Sequence, residues 1–283
     1  NMTDRYRFTP ATNTFQPAVR SNVYDNTNEN NQEHNTASEF STKLKIKNRR
    51  KTTKRKHNTL RPTVLKCGVV SQANGSALIE IGSTKVLCSV HGPRSISHKD
   101  DFSENAILSC HVKFATFATV GDSNQPVQYT QSEEEVKLAE NIQKALTSVV
   151  CLERYPKAVI ELTVLVLQHG GAVMAACINA SCAALASASI EMFDVVTSTA
   201  VLICDDQLYI DPDNVEEQWL RKSTDEASVM GVLTVAASAN AKALTLVEFA
   251  GQVDVTQASD AVELALDGCA SLHTLLSHAL RST

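Results

Sequence analysis

A chain of 283 residues, 43% hydrophobic and 20% charged, is long enough to bury a sizeable core as one large domain or two small ones. Its charge is unevenly spread: residues 1–61 hold 13 Lys+Arg against 5 Asp+Glu, and residues 62–283 hold 13 against 26. An acidic body is a poor electrostatic partner for nucleic acid, whose phosphates are gripped by clustered Lys and Arg.

No apolar run reaches the ~18 residues of a membrane span, and the start lacks the shape of a signal peptide. The eight cysteines, at positions 67, 88, 110, 151, 177, 182, 204 and 269, are scattered through apolar runs without a Cys-x-x-Cys. They read as small core residues of a soluble intracellular protein, with no metal site and no cofactor.

In chain order, residues 1–58 read as a disordered polar and basic tail, and residues 59–283 as one folded domain. Asn, Thr, Ser and Gln dominate the first 42 positions, and no hydrophobic period survives two turns. The tail closes on a basic run from Lys43 to Lys56. Three readings stay open for that run: a solvated linker, a nuclear import signal or a flexible RNA-contacting arm. Its candidate contacts are Arg49, Arg50, Lys51, Lys54, Arg55 and Lys56, with Arg94 in the body.

The domain opens as a β-meander whose apolar runs are closed by Asn74-Gly75, Gly82-Ser83 and Gly92-Pro93. Asn-Gly suggests a two-residue hairpin between the first two runs. Residues 76–81 alternate as a half-buried strand, and the nearly all-apolar residues 85–90 suit a strand buried on both sides. A fourth strand is expected over residues 107–115, between polar loops at 100–105 and 121–130. Ser132-Glu133-Glu134-Glu135 is a capping box that starts a helix with Leu138, Ile142, Ala145, Leu146 and Val149 on one face.

Residues 158–167 form a further strand, and His169-Gly170-Gly171 turns it into an alanine-rich buried helix over 172–189. A strand at 195–203, a turn at Asp205-Asp206 and a short return strand at 208–210 follow. A short helix at 214–222, strands at 229–236 and 243–249, and an amphipathic helix at 256–280 complete the chain. The order of elements predicts a one-domain α/β sandwich.

Chemistry has few footholds. The acidic residues Asp205, Asp206, Asp211, Asp213, Glu216 and Glu217 could offer a magnesium site through Asp211 and Glu217, but acids at a turn and a helix start explain them as well. The turn at 169–171 resembles a phosphate cradle, without a following Lys or Arg. No serine has a nucleophile's surroundings, and His91, His111 and His273 stand alone.

Several stretches fall in a familiar order. They are residues 68–77, Gly82-Ser83-Thr84-Lys85-Val86-Leu87, Gly92-Pro93-Arg94, Leu152-Glu153-Arg154-Tyr155-Pro156-Lys157, the turn at 169–171, Glu191-Met192-Phe193-Asp194 and residues 210–217. From about residue 61 to 280 the chain resembles ribonuclease PH-like domains. The resemblance implies a β-α-β-α sandwich of the S5-like type, and active members that attack the terminal phosphodiester of RNA with inorganic phosphate, working from 3′ to 5′.

It also implies altered site positions. The arginine of the family's phosphate clamp falls on Met174, preceded by Ala172 and Val173, and a thioether cannot neutralise phosphate. The catalytic aspartate pair falls on Asp211 and Glu217, and the RNA-gripping arginine pair falls near Glu133 and Glu134. The combination is similar to non-catalytic ring subunits of the eukaryotic RNA exosome.

That likeness implies a hetero-hexameric ring of ribonuclease PH-like subunits, S1/KH cap subunits, RNA in the channel and a separate hydrolytic ribonuclease. It implies service in rRNA processing, RNA surveillance and mRNA turnover, in nucleus, nucleolus and cytoplasm. Two alternatives are a live phosphorolytic exoribonuclease using Asp211 and Glu217, and an unrelated RNA-binding protein acting through its basic tail.

Overall fold

In the computed structural model the described residues are 42–53, 55–95, 104–118, 132–204, 207–222, 230–241 and 243–281. They begin with helix α1 (Thr42–Thr52), followed by strands β1 (Thr63–Cys67), β2 (Gly75–Ile81), β3 (Thr84–Ser95) and β4 (Ile107–Phe114). Helix α2 (Glu133–Thr147) leads to β5 (Ala158–Gln168), which completes a five-stranded sheet in the order β1-β2-β3-β5-β4. Its pairs are antiparallel except β4 with β5, which run parallel and are joined through α2.

Gly82 and Ser83 form the two-residue turn between β2 and β3, with Gly82 at φ +57° and Ile81 opposite Thr84. Asn74-Gly75 does not make a second such turn. β1 stops at Cys67, residues 68–74 form a loop, and Gly75 is the first residue of β2. Close packing explains that glycine: a Cβ there would lie 2.3 Å from the Ala188 nitrogen and 2.5 Å from the Ala184 oxygen. Nor does Gly92-Pro93 end a run, since β3 continues to Ser95 past a register shift between His91 and Arg94. Along β3, Val86, Cys88 and Val90 are buried while Leu87 and Ser89 are half-buried, so only one face is fully covered.

The capping box at the start of α2 forms as expected. Ser132 Oγ accepts from the Glu134 amide, and Glu135 Oε2 accepts from the Ser132 amide at 2.9 Å. The other oxygen of Glu135 accepts from the Phe114 amide at 2.8 Å, which ties the helix to β4.

A second sheet, in the order β7-β6-β8-β9, is antiparallel throughout. It follows helix α3 (Val173–Ser187) and comprises β6 (Val196–Cys204), β7 (Gln207–Ile210), β8 (Met230–Ser238) and β9 (Ala243–Gln252). Helix α4 (Asn214–Lys222) lies between β7 and β8, and α5 (Val255–Arg281) closes the chain. Every residue of β6 is buried, because α3 packs on one face and α5 on the other. The layers are therefore sheet, helices α2 and α3, sheet, helix α5: the expected β-α-β-α sandwich.

Small residues let α3 sit between the sheets. Asn179, wholly buried, donates to the Ser198 carbonyl at 2.9 Å and accepts from the Ser198 amide at 2.7 Å. On the other face, Thr197 and Thr199 donate to the Cys269 and Ala265 carbonyls of α5. Polar groups in this core are thus matched in pairs, as burial requires.

The largest correction concerns the tail. Residues 1–58 read as a disordered tail, yet residues 42–52 form α1, which packs on the second sheet. Ile46 is wholly buried against Leu202, Cys204 and Tyr209, with Trp219 of α4 alongside. These side chains form an apolar cluster of their own, and α1 supplies its lid. The helix has little amphipathic period, so one isoleucine and one arginine among lysines carried no readable signal. The loops expected at 100–105 and 121–130 and the Asp205-Asp206 turn fall wholly or partly outside the described residues, as does Lys54.

Candidate functional site

The 169–171 turn, the start of α3 and the 211–217 segment meet beside the β2–β3 turn. Gly171 has φ +94°, and a Cβ on it would lie 2.5 Å from the Pro212 oxygen, so backbone packs on backbone here. The Asn214 amide donates to the Gly170 carbonyl at 3.1 Å, and Asp211 itself takes φ +54°, a region Asp tolerates better than most residues.

Arg61 is the centre of this junction. Its guanidinium donates from Nε to Asp211 Oδ2 at 2.9 Å and from Nη2 to Asp211 Oδ1 at 2.6 Å. The same group reaches the Gly170 carbonyl at 2.7 Å, the Gly171 carbonyl at 3.1 Å and Thr84 Oγ1 at 3.4 Å. All five N–H donors of the guanidinium are thereby used, and the Arg61 amide adds a bond to Asp211 Oδ2 at 2.9 Å. Burial alone would lower the pKa of Arg61, but the hydrogen bonds and charge of Asp211 outweigh it and hold the pKa above its ordinary value.

The other acids of the segment are engaged in the same way. Arg50 forms a bidentate pair with Glu216, 2.8 Å on each arm, and its guanidinium lies 4.9 Å from the centre of the Tyr209 ring. Arg49 pairs with Asp213, and Arg55 donates to the Ile210 carbonyl at 2.9 Å and pairs with Asp211 at 3.5 Å. Burial, with Arg50 nearby, brings the Arg55 pKa down to about 10. Glu217 Oε1 accepts from the Ala172 amide at 2.7 Å, at the start of α3. Two of the acidic candidates, Asp205 and Asp206, fall outside the described residues. Among the described residues no group of three or more His, Cys, Asp or Glu is placed to hold a metal ion.

This changes the reading of the basic run. Arg50 is buried, and Arg49 and Arg55 are spent on Asp213, Asp211 and the backbone, so the three are parts of the fold and not free RNA contacts. Lys51 and Lys56 are exposed. Arg94 is exposed on the five-stranded sheet and pairs with Glu161 at 3.5 Å. Glu133 and Glu134 face solvent in the first turn of α2, remote in sequence from the 169–171 turn. Met174 is half-buried and packs against the core under the first sheet. Sequence reasoning missed Arg61 altogether: it sits at the border of the two expected segments, and its partners lie in distant parts of the chain.

Residues 59–191 match the 3′ exoribonuclease family, domain 1, the ribonuclease PH model. The human exosome complex component MTR3 is 33% identical over 237 residues, covering 78% of this chain and 82% of that protein. The chain belongs to the ribonuclease PH family. Another relative is the exosome complex component RRP41-like of Arabidopsis thaliana, 30% identical over 225 residues, with 79% of this chain and 81% of that protein aligned.

Among solved structures, rice Rrp46 superposes with a TM-score of 0.66 at 20% identity, over 81% of this chain and 98% of that one. An Archaeoglobus fulgidus exosome with RNA bound to the active site superposes with a TM-score of 0.67 at 17% identity, over 82% and 95%. At those identities the two structures speak for the fold alone.

Proposed function

We propose that this chain is a non-catalytic subunit of an RNA exosome ring. The observation that carries the reading is the closed state of the candidate site. The amide at the start of α3, where an anion would be bound, already holds the Glu217 carboxylate. Asp211, the match to the first catalytic aspartate, is saturated by Arg61. Met174 stands where the resemblance expects the phosphate-binding arginine, and offers neither charge nor a donor fork. Among the described residues, the amide at the start of α3 is taken and both carboxylates of the candidate pair are engaged within the fold.

In this reading the subunit supports 3′-to-5′ RNA processing and degradation as a wall of the ring. Its neighbours are other ribonuclease PH-like subunits, S1/KH cap proteins cover the ring, and a separate hydrolytic nuclease cleaves the threaded RNA. The protein works in nucleus, nucleolus and cytoplasm. The direct test is phosphorolysis. RNA is incubated with the purified chain, alone and in the complex isolated from its own cells, and phosphate-dependent release of nucleoside diphosphates is followed. No release attributable to this chain is expected. Release that Glu217→Gln or Asp211→Asn abolishes, with the fold intact, would make it a phosphorolytic exoribonuclease instead.

A further inference from the structure

The two sheets end in four edge strands, and three of them carry the usual protections. β7 is only four residues long, and its Ile210 amide already donates to the His57 carbonyl. β1 is five residues long and carries Lys66. β4 carries His111 and Lys113, both exposed. β9 differs. It runs for ten residues, Ala-Leu-Thr-Leu-Val-Glu-Phe-Ala-Gly-Gln, with no lysine, arginine or proline and a single charge, Glu248.

That charge does not guard the edge. Glu248 is half-buried on the side of the sheet that faces α2, close to Asn141, Lys137 and Lys144 of that helix. The opposite face of β9 is apolar and bare. Leu244, Val247 and Phe249 are 48%, 49% and 40% exposed, opposite Ala237, Val235 and Leu233 of β8. The cause is geometric, because α5 covers β6 and β8 and not the last strand of the sheet. β9 therefore presents a row of large apolar side chains beside a line of backbone groups that no described strand pairs.

We infer that β9 is a subunit-joining edge, which receives an edge strand from a neighbouring ribonuclease PH-like subunit. Backbone donors and acceptors spaced along a strand are matched in full only by another extended backbone, and this fixes the occupant as a β-strand. The apolar row asks for apolar side chains at alternate positions of that strand. The absence of lysine and proline argues for permanent cover, since an edge left in solvent is normally defended. The inference rests on the ring reading and adds to it which face makes the contact.

The test uses the full chain in its native assembly. Val247→Glu/Phe249→Glu, expressed in place of the wild type, should keep its melting profile yet recover at least ten-fold less of the related subunits on affinity isolation. Hydrogen exchange supplies a second readout on the unaltered protein: in the assembly, about half of the β9 amides should slow at least ten-fold relative to the free chain.

Equal recovery by the double variant, or equal exchange across residues 243–252 in the free and assembled states, overturns the edge assignment and leaves the ring reading in place. Protection of β9 in a complex where a chain of another fold, or a second copy of this one, occupies the edge also overturns it. Failure of the wild type to bring down any related subunit removes the ring reading itself. If the double variant does not fold, the exchange measurement decides alone.

Discussion

Replacing Arg61 by alanine tests the central junction most sharply. The substitution removes the guanidinium that binds Asp211 through two side-chain bonds, at 2.9 and 2.6 Å, and leaves the carboxylate buried. What remains to it is the residue-61 amide and the longer contact to Arg55 at 3.5 Å. The Gly170 and Gly171 carbonyls keep other donors, the Asn214 amide and the Thr84 hydroxyl. The cost is therefore mainly that of an under-compensated buried charge, about 3–5 kcal/mol. For a chain of this size that corresponds to a fall in melting temperature on the order of 10 °C.

Urea unfolding of Arg61→Ala, Asp211→Asn and the double variant Arg61→Met/Asp211→Asn forms a cycle. Asn tolerates the left-handed backbone at position 211, and removing both charges together should return about 2 kcal/mol or more of the single losses. The sign of the pH dependence follows from the raised pKa of Arg61. Its contribution is complete below the ordinary arginine range and is lost only as pH rises through the still higher folded value. The deficit of Arg61→Ala should thus be flat between about pH 6 and 9. A loss under about 1 kcal/mol, or a cycle with no coupling, would refute the claim that this pair holds the junction together.

Three further outcomes are expected. Ile46→Ala should cost about 2–4 kcal/mol in equilibrium unfolding, since it empties the apolar cluster under α1, and a neutral result would return the basic run to solvent. Asp194 caps the β8–β9 turn by accepting from Ser238 Oγ, the Val195 amide and Asn240; burial pushes its pKa up, but these bonds outweigh it and the net value is lowered. Its contribution is present above the ordinary carboxylate value and fades as pH falls through the lowered one, so Asp194→Asn should cost about 1–2 kcal/mol near neutral pH and lose that deficit in acid; an equal deficit at all pH values would count against it. Burial drives the Cys88, Cys110 and Cys182 thiols up to about 12, so a disulfide reagent should label half-buried Cys67 and Cys151 first in the native protein, and rapid labelling of the buried three would contradict the packing of α3.

Much of the architecture was legible because it depends on neighbours in the chain. The Gly82-Ser83 turn, the capping box at Ser132 and the inward stripe Ala261, Ala265, Cys269, Leu272 and Leu276 of α5 are written in residues two to four positions apart, the range over which turn and helix chemistry acts. The order of motifs along the chain likewise points to the family. The roles of individual glycines were less legible: Gly75 looked like a turn residue and is instead the point where β2 touches the end of α3.

The fate of the charges was not written locally at all. Read along the chain, residues 43–56 are a basic tail and residues 205–217 are acids at a turn, two solvated segments of opposite sign. Folding brings Arg61 to Asp211 across 150 positions and Arg50 to Glu216 across 166, and removes both pairs from water. The sequence by itself determined most strands and helices of the body from residue 75 onward and what family they make. Only the tertiary structure decided that the acids are closed and that the tail's last turns are part of the body. The reason is that desolvation and pairing are properties of where side chains end up, and no local period records a partner so far away.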